Sequence, residues 1–448
     1  MDLFGTSGVR GPVGETVTLE RALALGTAAG QDGDAFVLGR DGRTTGRAIA
    51  DAVAAGLQRA GATVERIGVV PTPTLAWASQ GRRGIMVTAS HNPASDNGLK
   101  FFVDGREYDR AAERRLESRV DTAPAGVDAL DFGETMRSDP IGAYRDEIVS
   151  YARERVGPVD GTTVVVDCGT GVAGRATPQV LDRLGADVLA VDAHVDGTFP
   201  ARSSKPTADT LADTAALIAT SEHIDCGIAH DGDADRTVLL DADGAIVPAD
   251  TVLAILAGHY LTEGGRVLTT PDTSDRIDER VAALGGRVER TALGTLHEAM
   301  VGDEAMDGQE SDDAVFAGEP WKHVHPPLGP WIDGIASAAL LVALIDRDGL
   351  ATLRAPITER PKAERSVACP EAAKAPAMDR LTERLPAEFD HETVDTEYGV
   401  RLGLPEGWIL VRPSGTEPKL RVYLEHSDAD ALVERVVEIL QESVERVA

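Results

Sequence analysis

Cysteine, lysine and aromatic residues are all scarce in this chain, and long apolar runs are missing. The three cysteines, Cys168, Cys226 and Cys369, lie far apart. Such spacing fits no zinc motif and an odd count fits no disulfide framework, so reduced thiols in or near the core are expected. No run approaches the roughly eighteen apolar residues that a membrane helix needs, which excludes a spanning helix. The opening Met1-Asp2-Leu3-Phe4-Gly5-Thr6 lacks the basic stretch and apolar core of an export signal, and a cytoplasmic protein is expected.

Positive charge is short as well. Lys+Arg is 44 against Asp+Glu 74, a net charge of −30, which disfavours DNA or RNA as a partner. Only six basic residues are lysines: Lys100, Lys205, Lys322, Lys362, Lys374 and Lys419. An acidic, lysine-poor, aromatic-poor surface fits a cytoplasm of high salt, where self-repulsion is screened within ~3 Å at 1 M. A bias towards GC-rich codons would also replace lysine by arginine. What is present is otherwise ordinary: 42% hydrophobic and 26% charged residues make a globular composition, and 448 residues allow three or four domains.

An internal echo sets the architecture. Leu57-Gln58-Arg59-Ala60-Gly61-Ala62-Thr63-Val64 reappears at 181–188 and, more weakly, at 281–288. Each copy reads as a helix's last turn, a glycine able to adopt φ > 0, and entry into a strand. Apolar runs ending in polar or glycine residues precede the copies at 36–42, 163–169 and 266–272. Strand, loop, helix, glycine, strand is the signature of a mostly parallel sheet, so three similar α/β domains are expected. Pro356, Pro361, Pro370 and Pro376 then mark a linker or domain edge. Beyond them, strands at 408–411 and 420–424 and an amphipathic helix from about Asp428 read as a smaller α+β domain. The expected boundaries are 1–138, 139–242, 243–354 and 355–448.

Several segments carry residues suited to chemistry. Thr88-Ala89-Ser90-His91-Asn92-Pro93 follows an apolar run and delivers Ser90 into a loop, a good position for a nucleophile; a serine turn is the plain alternative. On an extended chain Ser90 and His91 point opposite ways and would not form a base–nucleophile pair. Asp231-Gly232-Asp233-Ala234-Asp235-Arg236 follows a plausible strand. In extended backbone its three carboxylates share one face, and all-oxygen ligands favour Mg²⁺. A helix–loop–helix calcium site fails, because Arg236 and Ala242 occupy its sixth and twelfth places.

Arg412-Pro413-Ser414-Gly415-Thr416-Glu417-Pro418 offers a guanidinium fork, hydroxyls and approachable backbone, which suits a phosphate; a hairpin turn is the competing reading. Phe4-Gly5-Thr6-Ser7-Gly8-Val9-Arg10-Gly11 has the same character, with Thr6, Ser7 and Arg10 as candidates. Gly169-Thr170-Gly171-Val172-Ala173-Gly174 is a literal G-x-G-x-x-G, with Asp192 near the place of a ribose-binding acid. Asp167 and Cys168 intervene and put a carboxylate near an incoming pyrophosphate. This loop supplies an alternative function, an NAD-dependent dehydrogenase. Three of the six lysines (Lys100, Lys322 and Lys419) sit beside the candidate anion-handling loops.

The ordered segments FGTSGVRG, TASHNP, DGDADR, GEPWKH and RPSGTEP resemble the α-D-phosphohexomutase family, which includes phosphoglucomutases, phosphomannomutases and phosphoglucosamine mutases. The resemblance runs from Phe4 to the last helix, and 196–200 and 290–294 also look familial. It implies an α/β protein of four domains around a central cleft, three alike and the fourth smaller; the charge balance adds a halophilic archaeal source. It implies a phosphoserine at Ser90 and one Mg²⁺ held by Asp231, Asp233, Asp235 and a phosphoserine oxygen. Arg10, Lys100 and Arg236 would handle the phosphoryl group and its protons, with His91 beside the phosphoserine.

Glu319 and His323 match the sugar-recognition loop. Arg412, Ser414, Gly415 and Thr416 match the loop gripping the non-transferred phosphate. The implied reaction interconverts hexose 1- and 6-phosphates through a bisphosphorylated sugar, with hexose 1,6-bisphosphate as activator, in a monomer or homodimer without nucleic-acid or membrane partners. A non-catalytic sugar-phosphate sensor is disfavoured by retention of Ser90 and all three aspartates. The departure is in the sugar loop: Trp321 and Lys322 stand where family members carry Ser and Gly. Trp321 either stacks on a pyranose or anchors the loop. The opening FGTSGVRG leans towards the phosphoglucosamine or phosphomannose branches.

Overall fold

The computed structural model describes residues 3–5, 8–122, 126–261, 264–300, 313–415 and 417–447. They form four sheets, and the first three repeat one plan. In the first, Ala35–Arg40 lies parallel between Thr63–Val69 and Arg83–Val87, and Arg83–Val87 then pairs antiparallel with Asp96–Val103. In the second, Thr163–Asp167 lies between Asp187–Val191 and Cys226–Ala229, and Val238–Leu240 closes it antiparallel. In the third, Gly265–Thr269 lies between Gly286–Arg290 and Ala314–Glu319, closed by antiparallel Lys322–Val324. The first sheet adds Val9–Pro12 at its Asp96–Val103 edge and Thr135–Arg137 at the other.

Parallel neighbours need a crossover, and helices supply it: Gly46–Arg59, Thr177–Leu184 and Asp275–Ala283 link the first two strands of each unit. The repeated glycines after these helices, Gly61, Gly185 and Gly285, have φ of 91°, 117° and 76°. These are left-handed turns that glycine adopts without strain. The echo in the sequence is therefore a repeated helix exit.

One connection recurs with consequences. Between the third strand and its antiparallel neighbour lie residues 88–95 in the first unit, 230–237 in the second and the Pro320–Trp321 hairpin in the third. Three candidate loops thus occupy one topological place.

The fourth sheet is antiparallel throughout, in the order Lys362–Ala368, Lys419–His426, Gly407–Pro413, Val400–Leu404, Thr393–Asp395. Helices Glu371–Glu388 and Ala429–Glu445 share its core. Of the four prolines read as a linker or domain edge, Pro376 lies inside the helix Glu371–Glu388, which also contains Pro386. Each proline removes one backbone bond, but Ala373, Ala377, Leu381 and Leu385 form a buried stripe that holds the helix on the sheet.

Two junctions fix the units against one another. The helix Gly334–Asp348 is buried along Gly334–Ile345 and joins second and third units in one continuous core. Trp331 from the third unit packs into the first among Val37, Leu75 and Phe102. Among the described residues no helix is long and apolar enough to cross a membrane.

Candidate active site

Strand Arg83–Val87 leads to Ser90, which is buried with φ of 49°. A non-glycine residue adopts this left-handed backbone only where its surroundings enforce it. Here Arg43 enforces it. Its Nε donates to Asp41 Oδ2 (3.1 Å), Nη1 to the carbonyls of Pro93 and Asp96, and Nη2 to those of Ser90 and Asn92. A guanidinium has five N–H groups, and all five are used. The turn also revises the extended-chain reading of Ser90 and His91: with Ser90 left-handed, His91 Nδ1 comes to 3.3 Å from Ser90 Oγ. Burial, then Arg236 and Arg10, lower the His91 pKa to about 3, so its ring is neutral.

The equivalent loop of the second unit meets Ser90 across the unit boundary. Ser90 Oγ donates to Asp231 Oδ2 at 2.6 Å. Asp231, Asp233 and Asp235 are all buried, each offering an oxygen within 4.8 Å of the others. The convergence does not come from extended backbone: residues 231–236 turn, with Ala234 at φ of 60°. Burial and the charges of Asp235 and Asp233 push the Asp231 carboxyl well above its ordinary range. Burial would raise Asp235 too, but Lys100, Lys322 and Arg236 outweigh it and hold Asp235 well below the usual range. Asp233 Oδ1 and Asp235 Oδ1 are buried without a hydrogen-bond partner. Converging carboxylate oxygens without hydrogen-bond partners leave coordination positions open, and a hard divalent cation fits them.

Cations ring this cluster. Lys100 is buried and donates to Asp235 Oδ2 at 2.7 Å. Burial opposes its charge, yet Asp235, Glu107 and Asp233 together raise its pKa above the ordinary lysine value. Arg236 Nε lies 3.8 Å from Asp231 and 3.9 Å from Asp235. Arg10, on the edge strand Val9–Pro12, joins Arg236, His91, Glu107, Glu319 and Lys322 in lining a cavity of about 730 Å³.

The third unit supplies the hairpin Glu319-Pro320-Trp321-Lys322. Glu319 and Lys322 are cross-strand partners and form an ion pair at 3.0 Å. Strand alternation separates the residues that follow: Lys322 and Val324 face the cavity, whereas His323 is fully buried behind it, its Nδ1 on Ser337 Oγ at 3.0 Å. His323 thus does not join Glu319 on the cavity wall. Trp321 settles its two alternatives as an anchor. It packs on a second-unit cluster with Val165, Leu211 and Ile218, and its carbonyl accepts from Thr237 N at 3.0 Å.

The fourth unit's loop reaches the cleft through Arg412, which lies 3.8 Å from cavity-lining Asp272 and donates to Tyr423 OH. Ser414 is buried, with its carbonyl held by Lys374 Nζ, while Gly415 is open around its Cα. None of Arg412, Ser414 and Gly415 lines the 730 Å³ cavity. Thr6, Ser7 and Thr416 lie outside the described residues.

The Gly169–Gly174 loop is buried throughout. The Arg202 guanidinium fills the space beside Gly169, and Val172 N bonds to Gly232 O. No room remains for a dinucleotide, and the dehydrogenase alternative is unsupported. The loop instead braces the aspartate turn.

Three positioning groups carry no signal in the sequence. Arg43 is one arginine among many. Thr72 donates to Asp233 Oδ2 at 2.6 Å. Arg202 bridges Asp167 Oδ1 (2.9 Å) and the carbonyl of His230 (2.7 Å). Each acts over long sequence separation, which no local pattern exposes.

The chain matches the four phosphoglucomutase/phosphomannomutase domains in order: alpha/beta/alpha domain I at 1–126, II at 143–244, III at 248–362 and the C-terminal domain at 365–442. It is 39% identical to a phosphopentomutase of Thermococcus kodakarensis, covering 95% of this chain and 94% of that one. It is 38% identical to a probable phosphoglucosamine mutase of Methanopyrus kandleri, covering 99% of each. Among solved structures, a phosphoglucomutase/phosphomannomutase family protein of Burkholderia thailandensis superposes with a TM-score of 0.84 at 26% identity, over 99% of this chain and 97% of that one.

Proposed function

The chain belongs to the phosphoglucomutase/phosphomannomutase family, intramolecular phosphotransferases, and from that footing we propose a phosphoserine mutase that moves a phosphoryl group between the two ends of a sugar phosphate. The observation carrying the reading is Ser90 Oγ at 2.6 Å from Asp231, beside three buried carboxylates. In its working state Ser90 carries the phosphoryl group. Asp231, Asp233, Asp235 and a phosphoserine oxygen would hold Mg²⁺, which when bound would supply positive charge to offset that of the phosphoryl oxygens.

Phosphoryl transfer asks the protein mainly for positioning and charge. A free sugar hydroxyl attacks phosphorus, the bond from phosphorus to Ser90 Oγ breaks, and the sugar leaves as a bisphosphate. Ser90 Oγ takes up a proton in exchange for the one the sugar hydroxyl loses, and neutral His91 Nδ1, 3.3 Å away, can accept a hydrogen bond from the hydroxyl so formed. Arg10, Lys100 and Arg236 stabilise the oxygens in transit. The bisphosphate turns end for end, and its other phosphoryl group returns to Ser90. Arg412, Ser414, Gly415 and Thr416 grip whichever phosphate is not reacting, which explains the value of a loop that recognises a phosphate by itself. A hexose 1,6-bisphosphate serves as activator by restoring phosphate to Ser90.

The test is Ser90→Ala. The variant loses 1- to 6-phosphate interconversion, and the intact mass of the purified chain loses a phosphoryl group relative to wild type. Full turnover by the variant ends the phosphoserine assignment.

A further inference from the structure

The hairpin that faces the cavity carries more than the Glu319 carboxylate. Pro320 and Trp321 form its two-residue turn, with Trp321 at φ of 71°, a backbone normally left to glycine. The strain is held by Trp321's packing on the second unit and by the Thr237 N–H on its carbonyl. A hairpin clamped in this way fixes the two cross-strand side chains at its base, Glu319 and Lys322. They pair at 3.0 Å, line the same cavity as Arg10, His91 and Arg236, and are 15% and 19% exposed.

A lone carboxylate on a cleft wall attracts an ammonium group. Paired with Lys322, the same carboxylate has its charge matched, and the wall presents one acceptor and one donor side by side. That combination suits neighbouring neutral hydroxyls, which both accept and donate. An ammonium-bearing sugar meets instead a lysine within a few ångströms of the acid it would seek, in a cleft where like charges remain poorly screened.

Resting on the mutase reading above, we propose that the Glu319–Lys322 pair sets sugar specificity, favouring phosphosugars with neutral hydroxyls over 2-amino sugars. The two partners then act with opposite sign. Removing Lys322 frees Glu319 for the amine; removing the Glu319 charge leaves an unpaired lysine that repels it.

The experiment compares kcat/KM for glucose 1-phosphate, ribose 1-phosphate and glucosamine 1-phosphate, with Mg²⁺ and the matching bisphosphate, in wild type, Lys322→Met and Glu319→Gln. Wild type is expected to prefer a neutral sugar over glucosamine 1-phosphate by about tenfold or more, the scale of one close charge contact. Lys322→Met shifts that ratio about tenfold towards glucosamine, and Glu319→Gln shifts it further away. A wild type that prefers glucosamine 1-phosphate overturns the proposal, as does a Lys322→Met variant that slows all three sugars equally. If wild type turns over none of the three, the mutase reading itself fails, which is a separate outcome.

Discussion

The most demanding prediction concerns Arg43, which does not itself line the cavity. Its five N–H groups are all spent: one on Asp41, three on carbonyls of the loop that carries Ser90 and one on the carbonyl of Asp96, where the next strand begins. Arg43→Lys keeps the charge but offers three donors in place of five. At least two acceptors lose their partners. A buried polar group left unpaired costs about 1–3 kcal/mol, so the variant loses about 2–6 kcal/mol if the loop stays in place. If the loop instead turns its carbonyls to water, stability is partly recovered and Ser90 leaves Asp231. A displacement near 1 Å costs on the order of 10²-fold in rate. Denaturant unfolding and steady-state kinetics together read both routes. Expected is a fall in stability, in kcat or in both, with KM changed less than kcat because Arg43 itself does not line the cavity. A variant with wild-type stability and wild-type kcat refutes the clamp.

Adding Mg²⁺ should raise the melting temperature by a binding contribution of about 2.7 kcal/mol at a hundredfold excess over Kd; Asp233→Asn should abolish the shift, and an equal shift in that variant would remove the aspartates as the site. Trp331→Ala should destabilise the chain by about 3–5 kcal/mol, because the ring is buried in the first unit and its Nε1 donates to Asp333; a loss below 1 kcal/mol would mean that this junction holds nothing. His323 is fully buried, and desolvation lowers its pKa to about 3. The folded ring stays neutral while the unfolded one takes up a proton below about 6.5, so its contribution is present above that pH and lost as pH falls towards 3. Unfolding titrations of wild type and His323→Gln at pH 6 and 5 should show the wild-type advantage shrinking by about 1.4 kcal/mol per unit; a pH-independent difference would show that the ring titrates normally.

Much of the architecture was legible in the chain because it rests on local chemistry. Helix exits at Gly61, Gly185 and Gly285 need a left-handed residue, and that need printed the same glycine three times. Apolar runs that end in polar loops marked the central strands, since a buried parallel strand must be apolar and its exit must not be. The aspartates at 231, 233 and 235 were recognisable because three carboxylates in five residues demand a counter-charge. The helix Glu371–Glu388 was not legible, because Pro376 is a local breaking signal, whereas the buried stripe that outweighs it is tertiary.

What only the folded chain decides is which groups meet. Ser90 and Asp231 are 141 residues apart and 2.6 Å apart in space, and no periodicity records that approach. His323 and Lys322 are neighbours in sequence, yet a strand's alternation sends one into the core and the other into the cleft. Trp321 could serve a sugar face or packing, and a neighbouring unit's apolar cluster chose. Sequence fixes which side chains are available and how each short segment bends; the pairing of distant loops depends on how whole units pack, a sum of many weak contacts that no single segment contains.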